Sequence, residues 1–242
     1  MNCFQKRKTQ KIGKGMFVTA KMILPTKRDY AKRVSLTGKV LKKISGTYPL
    51  FEGIRTKKLI LEYIQKLKET GIKTIQTDIK LIKTTQNKFK LIMLQTLIPK
   101  ENLLINKIKT CTPKEAIELF EKMIITIRKI EEHNKHNSIK IGLDARLKNF
   151  GVINNELILI DLYPAYLQGN QSIKLEDISQ RKRGLIRKIK RQLLMQNVEK
   201  KASNTLKRKM NPQTTINEII NKFISRRPDL KKQFLEKLEY LN

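Results

Sequence analysis

The hydrophobic periodicity changes partway along this chain, and that change constrains the fold more than any single motif. Up to residue 97 the apolar positions fall in short runs separated by turn residues, as strands require, with one interruption of helical spacing. Strands are expected just before Gly13-Lys14-Gly15, at residues 17–24 ending at Pro25-Thr26, and at about 30–36. A helix is expected over roughly 54–70, where Leu59, Ile60, Tyr63, Ile64 and Leu67 form one stripe and Gly71 stands at the helix-ending position. Two more strands, 73–83 and 89–97, are joined by a polar turn at Gln86-Asn87.

Beyond residue 100 the spacing turns helical. Thr112-Pro113-Lys114-Glu115 combines an N-cap threonine, a proline at the first helical position and the glutamate of a capping box. The helix it starts carries Ile117, Phe120, Ile124, Ile127 and Ile130 on one face and ends near His133. Two short strand-like pieces follow at 139–143 and 156–161, then basic helical segments at 177–200 and 215–241, the latter interrupted by Pro228 and opened by a second candidate capping box, Thr215 with Glu218. A β-rich half with one helix, then a helical half with a small β-insertion, predicts an α+β fold in two lobes, residues 1–98 and 99–242.

Composition sets the outer limits. At 242 residues, 39% of them hydrophobic, the chain can bury a substantial core, which excludes disordered and collagenous classes. Two cysteines, Cys3 and Cys111, are too few for a disulfide framework. The basic start lacks an apolar leader region, and the longest apolar run, 91–99, is broken by Gln95, so neither a secretory signal nor a membrane span is expected and the protein reads as cytoplasmic. The formal charge of +32 admits two readings. It marks a polyanion partner such as RNA or an acidic protein, or it reflects a composition bias in which lysine greatly outnumbers arginine and isoleucine is abundant.

The most informative stretch is IGLDARLKNFGVINNELILIDLYPAYL, residues 141–167. Asp144 is followed five residues later by Asn149, and twelve residues after that, behind the apolar run 157–160, by Asp161. Phosphoryl transfer needs these types: a carboxylate to orient the acceptor hydroxyl, and an amide oxygen with a second carboxylate to hold Mg²⁺, a hard cation that takes oxygen ligands. The run resembles the catalytic and metal loops of the protein-kinase-like fold, closest in style to aminoglycoside phosphotransferases, choline kinases and small archaeal Ser/Thr kinases.

The resemblance implies a two-lobe kinase-like fold, with a β-rich N-lobe and a mainly helical C-lobe, that binds the nucleotide ATP with Mg²⁺ and transfers phosphate to an unidentified acceptor. By position, Asp144 matches the catalytic base, and Asn149 and Asp161 match the metal ligands. Gly13 and Gly15 match the nucleotide-covering turn, although an ordinary hairpin turn explains them equally; Lys32, with Lys21 as its competitor, matches the third-strand phosphate lysine. Glu62, with Glu52 as the alternative, matches the lysine's partner, and Leu94-Gln95-Thr96-Leu97 matches the adenine-binding hinge, so Gln95 and Leu97 join the site. Two departures stand out: Gly142 replaces the histidine that braces the catalytic loop in the family, and Asp161-Leu162-Tyr163 replaces D-F-G. These leave open a catalytically weak or inactive binding module whose basic surface docks RNA or an acidic partner.

Other candidates read plainly. His133 and His136 fit a solvated helix end, with no cysteine or carboxylate cluster to complete a metal site. Cys111 precedes an N-cap, where a thiol pKa can fall, but no histidine–carboxylate set accompanies it. The basic segment 181–191, interleaved with Leu185, Ile186 and Ile189, fits an amphipathic helix with a solvated cationic face or a docking site for RNA or a membrane surface.

Overall fold

The structure, a computed structural model, describes residues 9–14, 18–23, 39–44, 47–85, 87–163, 165–168 and 212–241. They form a mixed α+β protein with two compact units. Residues up to Glu62 together with Ile75–Ile98 make one, and Tyr63–Thr74 with the residues from Pro99 onward make the other.

The first unit is an antiparallel five-stranded sheet of β1 (Thr9–Lys14), β2 (Val18–Ile23), β3 (Lys39–Ile44), β4 (Thr77–Thr85) and β5 (Lys88–Thr96), in the order β1-β2-β3-β5-β4. Gly13 and Lys14 are not turn residues: both belong to β1, paired with Ala20 and Thr19 just after a register irregularity that takes up one extra residue. Gly15 lies outside the described residues. The third strand of the sheet is Lys39–Ile44, whereas the expected strand at 30–36, and Lys32 with it, falls outside the described residues. Leu41, Ile82 and Ile92, with Leu94, form an apolar cluster on one face. Cross-strand register places Val40, Lys42, Met93, Gln95 and Ile79 on the other.

Helix α1 (Leu50–Glu69) begins four residues earlier than its stripe suggested. Pro49 precedes it, where a proline ends nothing, and Gly53 sits inside it because Leu81 closes over that position: a Cβ there would stand 2.7 Å from the Leu81 Cδ2. Leu81 shares its sheet face with Met93 and Lys42, so the first turns of α1 cover that face. The helix ends in a Schellman motif. Gly71 has φ 72°, its N–H donates to the Lys68 carbonyl at 2.8 Å, and the Ile72 N–H donates to the Leu67 carbonyl at 2.9 Å. Residues 72–76 complete this turn, which delays β4 to Thr77.

The second unit is built on helices α2 (Leu104–Thr110), α3 (Pro113–His136), α4 (Pro212–Arg226) and α5 (Lys231–Leu241). Thr112 caps α3 in a full capping box with Glu115, and the helix runs to His136, three residues past the expected end. Helix α4 starts at Pro212, so Thr215 lies buried within it and does not cap it. The break before α5 falls at Pro228, as expected. The expected helix at 177–200 lies outside the described residues. Phe120, Phe223 and Phe234 meet at centroid separations of 5.0–5.5 Å, all three fully buried, and hold α3, α4 and α5 together. The Arg227 guanidinium pairs with Asp229 and donates to the Cys111 carbonyl at 3.1 Å, tying the end of α4 to the end of α2. Among the described residues no helix is long and apolar enough to cross a membrane.

Removing one ring from the phenylalanine trio leaves a cavity the other two cannot fill. Phe223→Ala is expected to cost about 3–5 kcal/mol of stability in chemical denaturation, with the midpoint falling and the slope preserved.

Candidate active site

The residues from 140 to 168 belong to the second unit and form two small antiparallel ladders. Strand β6 (Lys140–Ile141) pairs with β9 (Leu167–Gln168), and β7 (Phe150–Ile153) pairs with β8 (Glu156–Leu159). Between β7 and β8 stand Asn154 and Asn155, with φ 50° and 59°, the left-handed pair that a two-residue hairpin turn requires. Lys122 of α3 donates to the Asn155 carbonyl at 2.7 Å and pins that turn. The hairpin is also held at its edges, by a bridge from Leu103 to Gly151 and by one from Thr74 to Leu159. At the other ladder, the Asn134 side chain grips Ile141 from both sides: its Nδ2 donates to the Ile141 carbonyl at 2.8 Å, and its Oδ1 accepts from the Ile141 N–H at 2.7 Å.

The loop carrying Asp144 runs from β6 to a 3-10 turn at Leu147–Asn149. Asn149 is 3% exposed, and its Nδ2 donates to the Asp144 carbonyl at 3.0 Å. The Asn149 backbone carbonyl accepts from the N–H of Ile160 at 2.9 Å, one residue before Asp161. Strand β8 ends at Leu159, two residues short of the expected end, although the Ile160 N–H still bonds Asn149 in the register of the hairpin. Asn149 thereby ties the loop of Asp144 to the residue that precedes Asp161.

The Asp144 side chain is 9% exposed and does not stand alone. The Arg146 Nε lies 2.9 Å from each carboxylate oxygen, and its Nη2 also contacts Oδ2. That bidentate contact, reinforced by the charges of Asp144, Tyr166 and Asp161, holds the guanidinium pKa above its ordinary value against the burial that lowers it. About half of the Arg146 side chain remains open to solvent.

Behind this group lies Tyr63, from the last turns of α1, 1% exposed. Its hydroxyl donates to the Gly142 carbonyl at 2.9 Å. Burial pushes its pKa well above 10.0, with Tyr166, Asp144 and Asp161 adding to the shift. Since both carboxylates act on Tyr63 and on Arg146, the two lie within electrostatic reach of one another's neighbours.

The remaining expected site residues belong to the first unit. Gln95 lies on β5 in register with Val40 on one side and Thr77 on the other; its side chain is buried and donates to the Thr77 hydroxyl at 3.0 Å. Leu97 follows the end of β5. Glu62 is half-buried on α1, and Glu52 is exposed in its first turn. The buried polar side chain on the early turns of α1 is Thr56, which donates to the Glu52 carbonyl at 2.7 Å.

Three residues escaped the sequence reading. Lys42 is half-buried on β3, a strand for which the sequence reading gave no expectation. Arg146 was visible as the cation two residues beyond Asp144. Tyr63 was legible only as one member of an apolar stripe. Away from the site, burial raises the Cys111 thiol pKa, with Glu115 adding to it, opposite to the lowering a position before an N-cap can give. His136 contacts Glu132 at 2.8 Å at the end of α3.

Fold and site together define an α+β protein in which one buried asparagine ties the loop of Asp144 to the residue before Asp161. The chain belongs to the DUF6206 family, described as a family of unknown function, whose model matches residues 30–241. Comparison with curated proteins gives no match.

The raised Tyr63 pKa fixes a sign for alkaline stability. A phenol that ionises less readily folded than unfolded contributes stability below pH 10, and that contribution is lost as pH rises through its folded value. Denaturation midpoints should fall above about pH 10, and the fall should be shallower in Tyr63→Phe, as followed by circular dichroism.

Proposed function

We propose that this protein is an ATP- and Mg²⁺-dependent phosphotransferase with a kinase-like two-lobe arrangement, the sheet unit serving as the nucleotide lobe and the second unit as the catalytic lobe. The observation that carries this reading is Asn149, whose side chain fixes the loop of Asp144 while its backbone fixes the approach to Asp161. Asp144 takes the proton from the acceptor hydroxyl, whose oxygen bonds the γ-phosphorus as the bond to ADP breaks. Asn149 Oδ1 and the Asp161 carboxylate are oxygen donors that fit Mg²⁺, which when bound would neutralise phosphate charge.

In the nucleotide lobe, the lysine role passes to Lys42. It is half-buried on the third strand and is followed in sequence by helix α1, the order in which kinases carry their phosphate lysine and its glutamate partner. Glu62 and Glu52 are the candidates for that partner. Gly15, which follows β1 in sequence, is the glycine left for the phosphate turn. Of the hinge pair, Leu97 has its backbone beyond the ladders that enclose Gln95. The acceptor is a hydroxyl compound of unassigned class.

A second reading rests on Arg146. A carboxylate gripped at both oxygens by a guanidinium is a weaker base, which favours a binding module that keeps the fold and docks RNA or an acidic protein on its basic surface. Steeply salt-dependent RNA binding without ATP turnover selects that reading.

Calorimetry with ATP and Mg²⁺ separates the two. The phosphotransferase reading expects a binding signal that Asp161→Asn removes in its Mg²⁺-dependent part. It also expects ADP release that Asp144→Ala lowers at least about 100-fold with nucleotide binding retained. No heat with Mg²⁺·ATP, or unchanged turnover in Asp144→Ala, overturns it.

A further inference from the structure

We infer that Tyr63 is a positioning residue of this site, its buried hydroxyl holding the Gly142 carbonyl so that helix α1 fixes the loop that carries Asp144. The inference rests on the phosphotransferase reading. Gly142 has no side chain with which to anchor this loop, and both of its backbone groups are held from outside: its N–H donates to the Tyr166 carbonyl at 2.8 Å, and its carbonyl accepts from Tyr63 at 2.9 Å. A buried hydroxyl is costly without a partner, whereas a phenylalanine would fill the same space without that cost. The hydroxyl is therefore accounted for by the bond it makes and not by packing. The high pKa keeps it a donor through the neutral and moderately alkaline range.

The chain that follows Tyr63 makes a matching contact on the second loop. After the Schellman turn at Gly71, the Lys73 carbonyl accepts from the Leu159 N–H at 2.9 Å, and Thr74 bridges the same residue. Gly142 lies two residues before Asp144, and Leu159 lies two residues before Asp161. One short segment, Tyr63–Thr74, thus grips both site loops at equivalent distances from their carboxylates, and its glycine-capped helix end sets the spacing between the two grips. Precise placement of this kind governs rate more than affinity, because misplacing a reacting group by about 1 Å costs on the order of 100-fold.

The test compares wild type, Tyr63→Phe and Phe234→Leu. The last loosens the core between α3, α4 and α5 and alters neither loop contact. Two readouts are needed: turnover with Mg²⁺·ATP, and amide hydrogen exchange resolved by segment. In Tyr63→Phe, kcat should fall about tenfold with the KM for ATP within about twofold, and amides of 142–147 should exchange about tenfold faster while those of α3 hold. Phe234→Leu should lower stability while leaving kcat of the folded protein within about twofold. Unchanged kcat in an active enzyme, or unchanged exchange at 142–147, overturns the assignment. If wild type shows no ATP turnover, the phosphotransferase reading and the positioning role that rests on it both fail, whereas active wild type with an unaffected Tyr63→Phe sinks the tyrosine assignment alone.

Discussion

Asn149 makes two bonds at right angles in purpose: its side-chain amide donates to the Asp144 carbonyl, and its main-chain carbonyl accepts from the N–H of Ile160. A 3% exposed amide must have partners, and a buried carbonyl in a loop must have a donor, so each satisfies a need of the other. From that pair the rest of the site follows. The loop cannot relax without freeing a buried carbonyl, and the Ile160 bond carries the β7–β8 register one pair beyond the two strands. Asp144 and Asp161, seventeen residues apart in sequence, both act on Tyr63 and Arg146, and Asn149 links the backbones that carry them.

Bringing two carboxylates together costs electrostatic energy, and the second unit meets that cost locally. Arg146 neutralises Asp144 with a bidentate contact, and Tyr63 presents a donor to the loop backbone that stays protonated beside both acids. The support is rigid: a hairpin closed by two left-handed asparagines, a turn pinned by Lys122, and a long capped helix α3 whose Asn134 holds the strand ahead of the loop. Helix α1 is continuous from Leu50 to Glu69, yet its first turns cover the sheet while Tyr63 and the turns after it belong with the site. The buried side of α1 is small at Gly53, where Leu81 presses in, and at Thr56, and larger from Leu59 to Leu67.

Much of this was legible in the residues. The capping box at Thr112 and Glu115, the break at Pro228, the glycine at the end of α1 and the strands around residues 18–23 and 88–96 all rest on local chemistry that tertiary packing did not override. The hairpin between Asn149 and Asp161 was readable because Asn154-Asn155 between two apolar runs is a two-residue turn signal. What was missed depended on distant partners. The start of α1 was hidden because Pro49 and Gly53 argue against a helix unless Leu81 is known to lie over the glycine. Thr215 resembled a cap because its burial within α4 comes from packing alone. Gly13 resembled a turn because a bulge and a turn use glycine for the same freedom. Tyr63 was indistinguishable from a core residue because a hydroxyl's partner 79 positions away leaves no trace in the local pattern.

A crystal structure with Mg²⁺ and a non-hydrolysable ATP analogue tests the account most directly. It should show the cation within about 2.0–2.1 Å of Asn149 Oδ1 and an Asp161 oxygen, with the γ-phosphate beside Asp144. Nucleotide bound elsewhere, or a cation that touches neither residue, would contradict it.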